Sequence, residues 1–79
     1  MRKVYVGVNA AFSPEGIMVP LSLVWENGRR YEVDRMQHFC RDPLARVGGS
    51  GVRYTVRVLG RKTHIWYDEL EHRWFMEGK

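Results

Sequence analysis

Only one cysteine, Cys40, occurs in the 79 residues, so no internal disulfide can staple the fold and a Cys-x-x-Cys metal site is excluded. A reducing cytoplasm is the compartment that such a chain fits best. No apolar run approaches the 18 or so residues of a membrane span. After the basic start Met1-Arg2-Lys3, Val4, Val6 and Val8 alternate with other residues, which is not the continuous apolar stretch of a signal peptide. Low-complexity tracts, internal repeats and linkers are absent too, and a chain this short has room for a single core, so residues 1–79 are expected to form one domain.

What is there is an ordinary globular composition, 44% hydrophobic and 28% charged, with a formal net charge of +4. Ten of the 13 basic residues are arginine, the side chain suited to bidentate phosphate contacts and to stacking on aromatic rings. The cations are interleaved with acids from Arg2 to Lys79, and a mixed surface is also the usual route to solubility, so charge alone leans only mildly towards an anionic partner.

Period-two alternation runs through almost the whole chain and predicts half-buried strands. Val4, Val6, Val8, Ala10 and Phe12 share one side of the first. Ser13-Pro14-Glu15-Gly16 reads as a four-residue turn that sets Phe12 opposite Ile17 and Val8 opposite Leu21. At the second turn a two-residue Asn27-Gly28 loop would place Leu23 against Glu32. A three-residue loop with Gly28 left-handed places Leu23 against Tyr31 and Leu21 against Val33, and is preferred. Pro20 should weaken pairing with the third strand near Val33 or Asp34, where the alternation slips towards Met36, His38 and Cys40.

Residues 41–51 form the one long connection, with a short helical turn expected near 43–47. Val52, Tyr54, Val56 and Val58 then point inward, and a Gly60-Arg61 turn of type II′ would set Thr63, Ile65 and Tyr67 opposite them. A last strand carries Arg73 to Met76. The expected fold is all-β, about six antiparallel strands in a meander-type small barrel or tight sandwich, with Val6, Val8, Leu21, Leu23, Val56 and Ile65 central.

No motif points to catalysis. Gly48-Gly49-Ser50-Gly51 is not followed by the lysine and helix that a phosphate-binding loop requires. His38 and Cys40 share a strand face and could join His64 or His72 as ligands or as a thiol and base, but a lone cysteine is more often an inert, buried residue. Asp68, Glu69 and Glu71 beside His72 read as a solvated turn. Neither catalytic residues, metal ligands nor a cofactor are therefore expected.

The most distinctive cluster lies on the outward face of the last three strands. The expected register puts Arg57 across from His64, Thr55 from Trp66 and Arg53 from Asp68, with Phe75 beside Trp66 if the final loop runs from Glu69 to His72, and Trp74 there if it is shorter. Rings flanked by arginine on an open sheet are what single-stranded nucleic-acid binders use. The competing reading covers this face with residues 35–50 and makes Trp66 a core residue. The expectation is a non-catalytic binding module that takes single-stranded nucleic acid through Arg53, Arg57, His64, Trp66 and Phe75. A protein partner, or a second copy, on the same face is the alternative.

The run Val24-Trp25-Glu26-Asn27-Gly28-Arg29-Arg30-Tyr31-Glu32-Val33-Asp34, with Gly48-Gly49-Ser50-Gly51-Val52-Arg53-Tyr54-Thr55 and the closing Arg73-Trp74-Phe75-Met76-Glu77, resembles a group of small uncharacterised bacterial proteins. The Trp25 to Val33 stretch alone is also similar to a bacterial domain of unknown function sometimes encoded near DNA-repair polymerases. The resemblance implies a bacterial cytoplasmic protein and mildly favours nucleic acid. It brings no site residue to carry over.

Overall fold

The computed structural model describes residues 2–41 and 51–78. It is all-β: β1 (Arg2–Phe12), β2 (Met18–Val24), β3 (Arg30–Glu32), β4 (Arg35–Arg41), β5 (Val52–Val58), β6 (Arg61–Asp68) and β7 (Arg73–Gly78). All pairings are antiparallel and the strand order is β3-β2-β1-β7-β6-β5-β4. This is a meander in which the first and last strands meet, and the sheet is curled into a half-barrel. There is no helix among the described residues. The helical turn expected near 43–47 and Gly48-Gly49-Ser50 lie outside them.

The described residues form seven strands where six were expected because the third one breaks where Pro20 and the slipped alternation place the break. β3 pairs with β2 only from Arg30 to Glu32, and Val33 N still donates to Leu21 O at 2.9 Å. The next amide, Asp34 N, donates to Arg57 O at 2.8 Å on β5, and β4 continues along β5 with Gln37 as the extra residue of a bulge between Met36 and His38. Residues 30–41 thus leave one edge of the sheet and join the other, which draws the curled sheet together at that end.

The first two hairpins share one turn chemistry. Trp25 N donates to Arg29 O and Gly28 N to Trp25 O, both at 2.9 Å, with Gly28 at φ +84°: the bulged three-residue loop, with Leu23 opposite Tyr31 as the face argument requires. The first hairpin uses the same device, which corrects the four-residue turn expected there. Ser13 N donates to Ile17 O, Gly16 N to Ser13 O, and Gly16 also has φ +84°. Phe12 therefore faces Met18. The register then shifts by one between Asn9 and Ala10, so that Val8 faces Leu23 and Leu21 is the bulged residue, 49% exposed instead of central.

The β5–β6 turn is a second correction. Val58 pairs with Arg61, so Leu59 and Gly60 form the loop, at φ +53° and +73°, a type I′ geometry instead of the expected Gly60-Arg61 type II′. The slip is two residues, one full pleat, so every side chain keeps its face. Val4, Val6, Leu23, Tyr54, Val56, Ile65 and Trp74 fill the concave side, with Val8 half-buried against them. At about 25 cal/mol per Å² of apolar surface removed from water, this one cluster is the main source of folding free energy in a domain of this size.

Candidate functional site

The convex face carries the cluster singled out in the sequence, and the strands bring its members into one row. Tyr5 lies across from Phe75, Phe75 from Trp66, Trp66 from Arg53 and Arg53 from Cys40, one residue from each of β1, β7, β6, β5 and β4. The loop from Glu69 to His72 is the length that places Phe75 beside Trp66. One pleat along, Thr55 pairs with His64, and Thr55 Oγ1 is 3.2 Å from His64 Nδ1. The turn at Leu59 and Gly60 moves Arg57 across from Lys62 instead of His64, and the Arg57 guanidinium donates to Gly60 O at 2.6 Å.

Two of the rings in that row are buried, and Tyr5 is exposed. Trp66 and Phe75 stack with centroids 5.6 Å apart and planes 5° apart, and they are 7% and 1% exposed. The Lys3 ammonium sits 4.5 Å above the Phe75 ring, Tyr5 meets its edge, and the Arg73 guanidinium lies 3.5 Å over Tyr5. Cation and ring layers of this kind close a second, smaller core on the outside of the sheet. Of the five residues proposed from the sequence, Arg53, Arg57 and His64 keep partial exposure and the two aromatics do not. In this arrangement neighbouring side chains cover both Trp66 and Phe75.

Cys40 is half-buried, with its sulfur 3.9 Å from an Arg53 guanidinium nitrogen. His38 and His64 stand on either side of Thr55, while His72 bonds the Tyr67 hydroxyl through Nδ1 at 3.0 Å. Among the described residues, no three His, Cys, Asp or Glu side chains converge on a point where a metal could sit. The loop acids are absorbed by the turn. Asp68 is buried and its Oδ1 accepts from Leu70 N and Glu71 N, while Glu69 bonds Arg41 and holds that guanidinium above its ordinary pKa.

A different set of residues forms an open cleft at the end of the half-barrel where residues 30–41 cross over. About 420 Å³ of open space lies between Leu23, Trp25 and Tyr31 on one side and Val58, Leu59, Arg61 and Lys62 on the other, with Thr63 and Met76 also in its lining. Trp25 and Tyr31 are half-buried, so each keeps part of its ring in the cleft. The Arg29 guanidinium lies 5.6 Å over the Tyr31 ring, and Arg61 and Lys62 are exposed on the facing hairpin. None of the lining residues is acidic. Of the acids in the neighbouring segments, Glu26 pairs with Arg2 at 3.4 Å, Glu32 with Arg30 at 3.0 Å, and Asp34 Oδ2 accepts from Gly60 N at 3.0 Å, while Glu77 lies beside Lys62, Thr63 and Met76 in an adjoining hollow.

Sequence reasoning missed this site because its members come from two turns far apart in the chain. Trp25 and Tyr31 flank one three-residue loop, and Leu59, Arg61 and Lys62 surround the other turn. Only the crossover of residues 30–41 from β2 to β5 brings the two together. The available signal was the density of arginine next to aromatic residues in Trp25-Glu26-Asn27-Gly28-Arg29-Arg30-Tyr31.

Comparison with known proteins finds no family model, no curated protein and no solved structure that matches the chain.

Proposed function

We propose that the chain is a small non-catalytic binding module for single-stranded nucleic acid, with the end cleft as its site. The observation that carries the reading is the cleft's lining: two part-exposed aromatic rings, Trp25 and Tyr31, share it with Arg61 and Lys62, Arg29 lies over one ring, and no acid is present. A base inserted against the rings gains stacking worth about 1 to 3 kcal/mol, and the cations are within reach of the phosphates on either side of it. The net charge of +4 supports the same class of ligand.

Backbone strain at the rim supports the reading as well. Leu59 holds a left-handed conformation that its side chain disfavours, yet it exposes 73% of its surface at the cleft mouth and gains little burial in return. Strained residues of this kind concentrate at ligand sites.

Binding of a fluorescently labelled oligonucleotide, followed by anisotropy, tests the proposal. With three phosphates neutralised by Arg29, Arg61 and Lys62, log affinity against log salt should have a slope of about −2, so affinity falls roughly twentyfold between about 50 and 200 mM salt. Replacing both Arg61 and Lys62 by Gln should flatten that slope to about −0.7, whereas Arg53→Gln on the convex face should leave it unchanged. Absence of binding at low salt, or loss of binding in Arg53→Gln with the Arg61 and Lys62 variant intact, would overturn the assignment.

A further inference from the structure

We infer that the outer edge of β1, from Val8 to Phe12, is a self-association surface that joins two copies of this chain strand to strand about a two-fold axis at Ala10. β1 is longer than either of its partners needs. Its residues Arg2 to Val6 pair with β7 and its residues Gly7 to Phe12 pair with β2, so the edge that receives β7 runs on with no strand beside it among the described residues. Ser13 N donates towards β2, to Ile17 O. Alternation along the strand then turns the N–H and C=O groups of Phe12, Ala10 and Val8 away from β2. Among the described residues no strand pairs with those three on that side of the two-stranded ribbon, which extends beyond β7.

The opposite edge of the same ribbon is blocked. Pro20 pairs with Ala10, and by the same alternation its ring nitrogen lies on the outer side of β2, where it has no hydrogen to donate. Pro20 is itself fully buried, so this edge is covered as well as barred from pairing. The β1 edge carries no such guard: it has no proline, no lysine and no inward charge over Val8-Asn9-Ala10-Ala11-Phe12. One edge of the ribbon is protected and the other is left open.

The charge pattern identifies the occupant. In a chain that is 28% charged, only Glu15 and Glu26 interrupt the stretch between Lys3 and Arg29, and from Val4 to Pro14 there is no charge at all. A partner of opposite charge would find only Glu15, in the turn, to pair with on this part of the ribbon. An isologous contact, by contrast, sets each residue against its own copy or a near neighbour, and there any charge meets itself. A two-fold axis at Ala10 places Ala10 opposite Ala10 and Val8 opposite Phe12, the three residues whose backbone groups point outward, so every exposed N–H and C=O finds a reciprocal partner. Phe12, 73% exposed, then lies beside Val8 of the second copy on the apolar face of the extended sheet.

Sedimentation equilibrium without nucleic acid tests the inference independently of the cleft. The wild type should show twice the 9.3 kDa chain mass at micromolar concentrations. Ala10→Lys and Ala10→Glu should each run as folded monomers, since Ala10 is exposed and the substitution places like charges across the axis. An equimolar mixture of the two variants should recover the doubled mass. A monomeric wild type would overturn the proposal and leave the edge to a strand of another protein. Dimers that persist in Ala10→Lys would place the interface elsewhere, and failure of the mixture to associate would also refute pairing at Ala10. Circular dichroism of the variants separates loss of association from loss of fold.

Discussion

Trp66 on β6 and Phe75 on β7 are direct cross-strand partners whose rings lie parallel, 5.6 Å apart, on the convex side of the sheet. A half-barrel of this size buries its concave face as a matter of course, but a second buried aromatic pair on the outside is an additional core. Lys3 and Tyr5 of β1 reach Phe75 from the strand beside it, so the pair helps to fasten the first strand to the last.

Trp66→Ala should therefore behave as a core truncation. Loss of about 3 to 5 kcal/mol is expected, a large share of what a domain of this length has to lose, while Trp66→Phe should recover much of it by keeping the stack. Urea denaturation monitored by circular dichroism measures both. A loss under about 1 kcal/mol for Trp66→Ala would mean that the pair is accessible in solution and would return the convex face to consideration as a ligand platform.

Tyr54 is buried between Phe39 and Trp74, with ring centroids 5.8 and 5.3 Å away. Burial raises its pKa above the ordinary 10.0, and the charge on Glu69 and the neighbouring Tyr67 raise it further. A phenol whose folded pKa exceeds its unfolded one stabilises the fold fully below the unfolded value. That contribution is lost as pH rises past about 10 and through the raised folded value, because the unfolded chain releases its proton first. Stability measured from neutral pH to about pH 11 should fall at the alkaline end, and Tyr54→Phe should flatten that fall. Parallel curves for the two proteins would show that another group controls the alkaline transition.

Much of the fold was legible because period-two alternation and turn residues are local signals. The Asn27-Gly28 loop follows from Leu23 and Glu32 alone, since the wrong loop puts a carboxylate on the apolar face. The break after β3 follows from Pro20 and the slip at Val33. What escaped was decided by one extra residue on one strand. Leu21 looks central by alternation, yet the shift between Asn9 and Ala10 bulges it outward and hands its place to Leu23, at 2% exposure. Nothing in Pro20-Leu21-Ser22 reveals that shift, because apolar residues stand on both sides of it. The site was less legible than the fold for a related reason. Cross-strand geometry correctly gathered Arg53, Trp66 and Phe75 on one face, but whether a face is open depends on long cations such as Lys3 folding over it, which alternation does not encode.

Leu59 joins fold and site in one residue, and its replacement separates them. The Leu59-Gly60 turn is of type I′, a geometry in which Asn-Gly is the favoured pair because both positions need positive φ. Leucine at φ +53° costs roughly 1 to 2 kcal/mol relative to a residue at ease there. Its side chain is largely exposed, so little hydrophobic burial offsets that cost. Leu59→Asn should accordingly stabilise the fold by about 1 kcal/mol, read as a higher urea midpoint at an unchanged denaturant slope. The same change removes an apolar wall of the end cleft. Oligonucleotide affinity should therefore drop as stability rises, the opposite of what general damage to the domain would produce. A more stable variant with unaltered affinity would mean that the ligand does not touch Leu59, and a less stable one would mean that its leucine contacts outweigh the backbone strain.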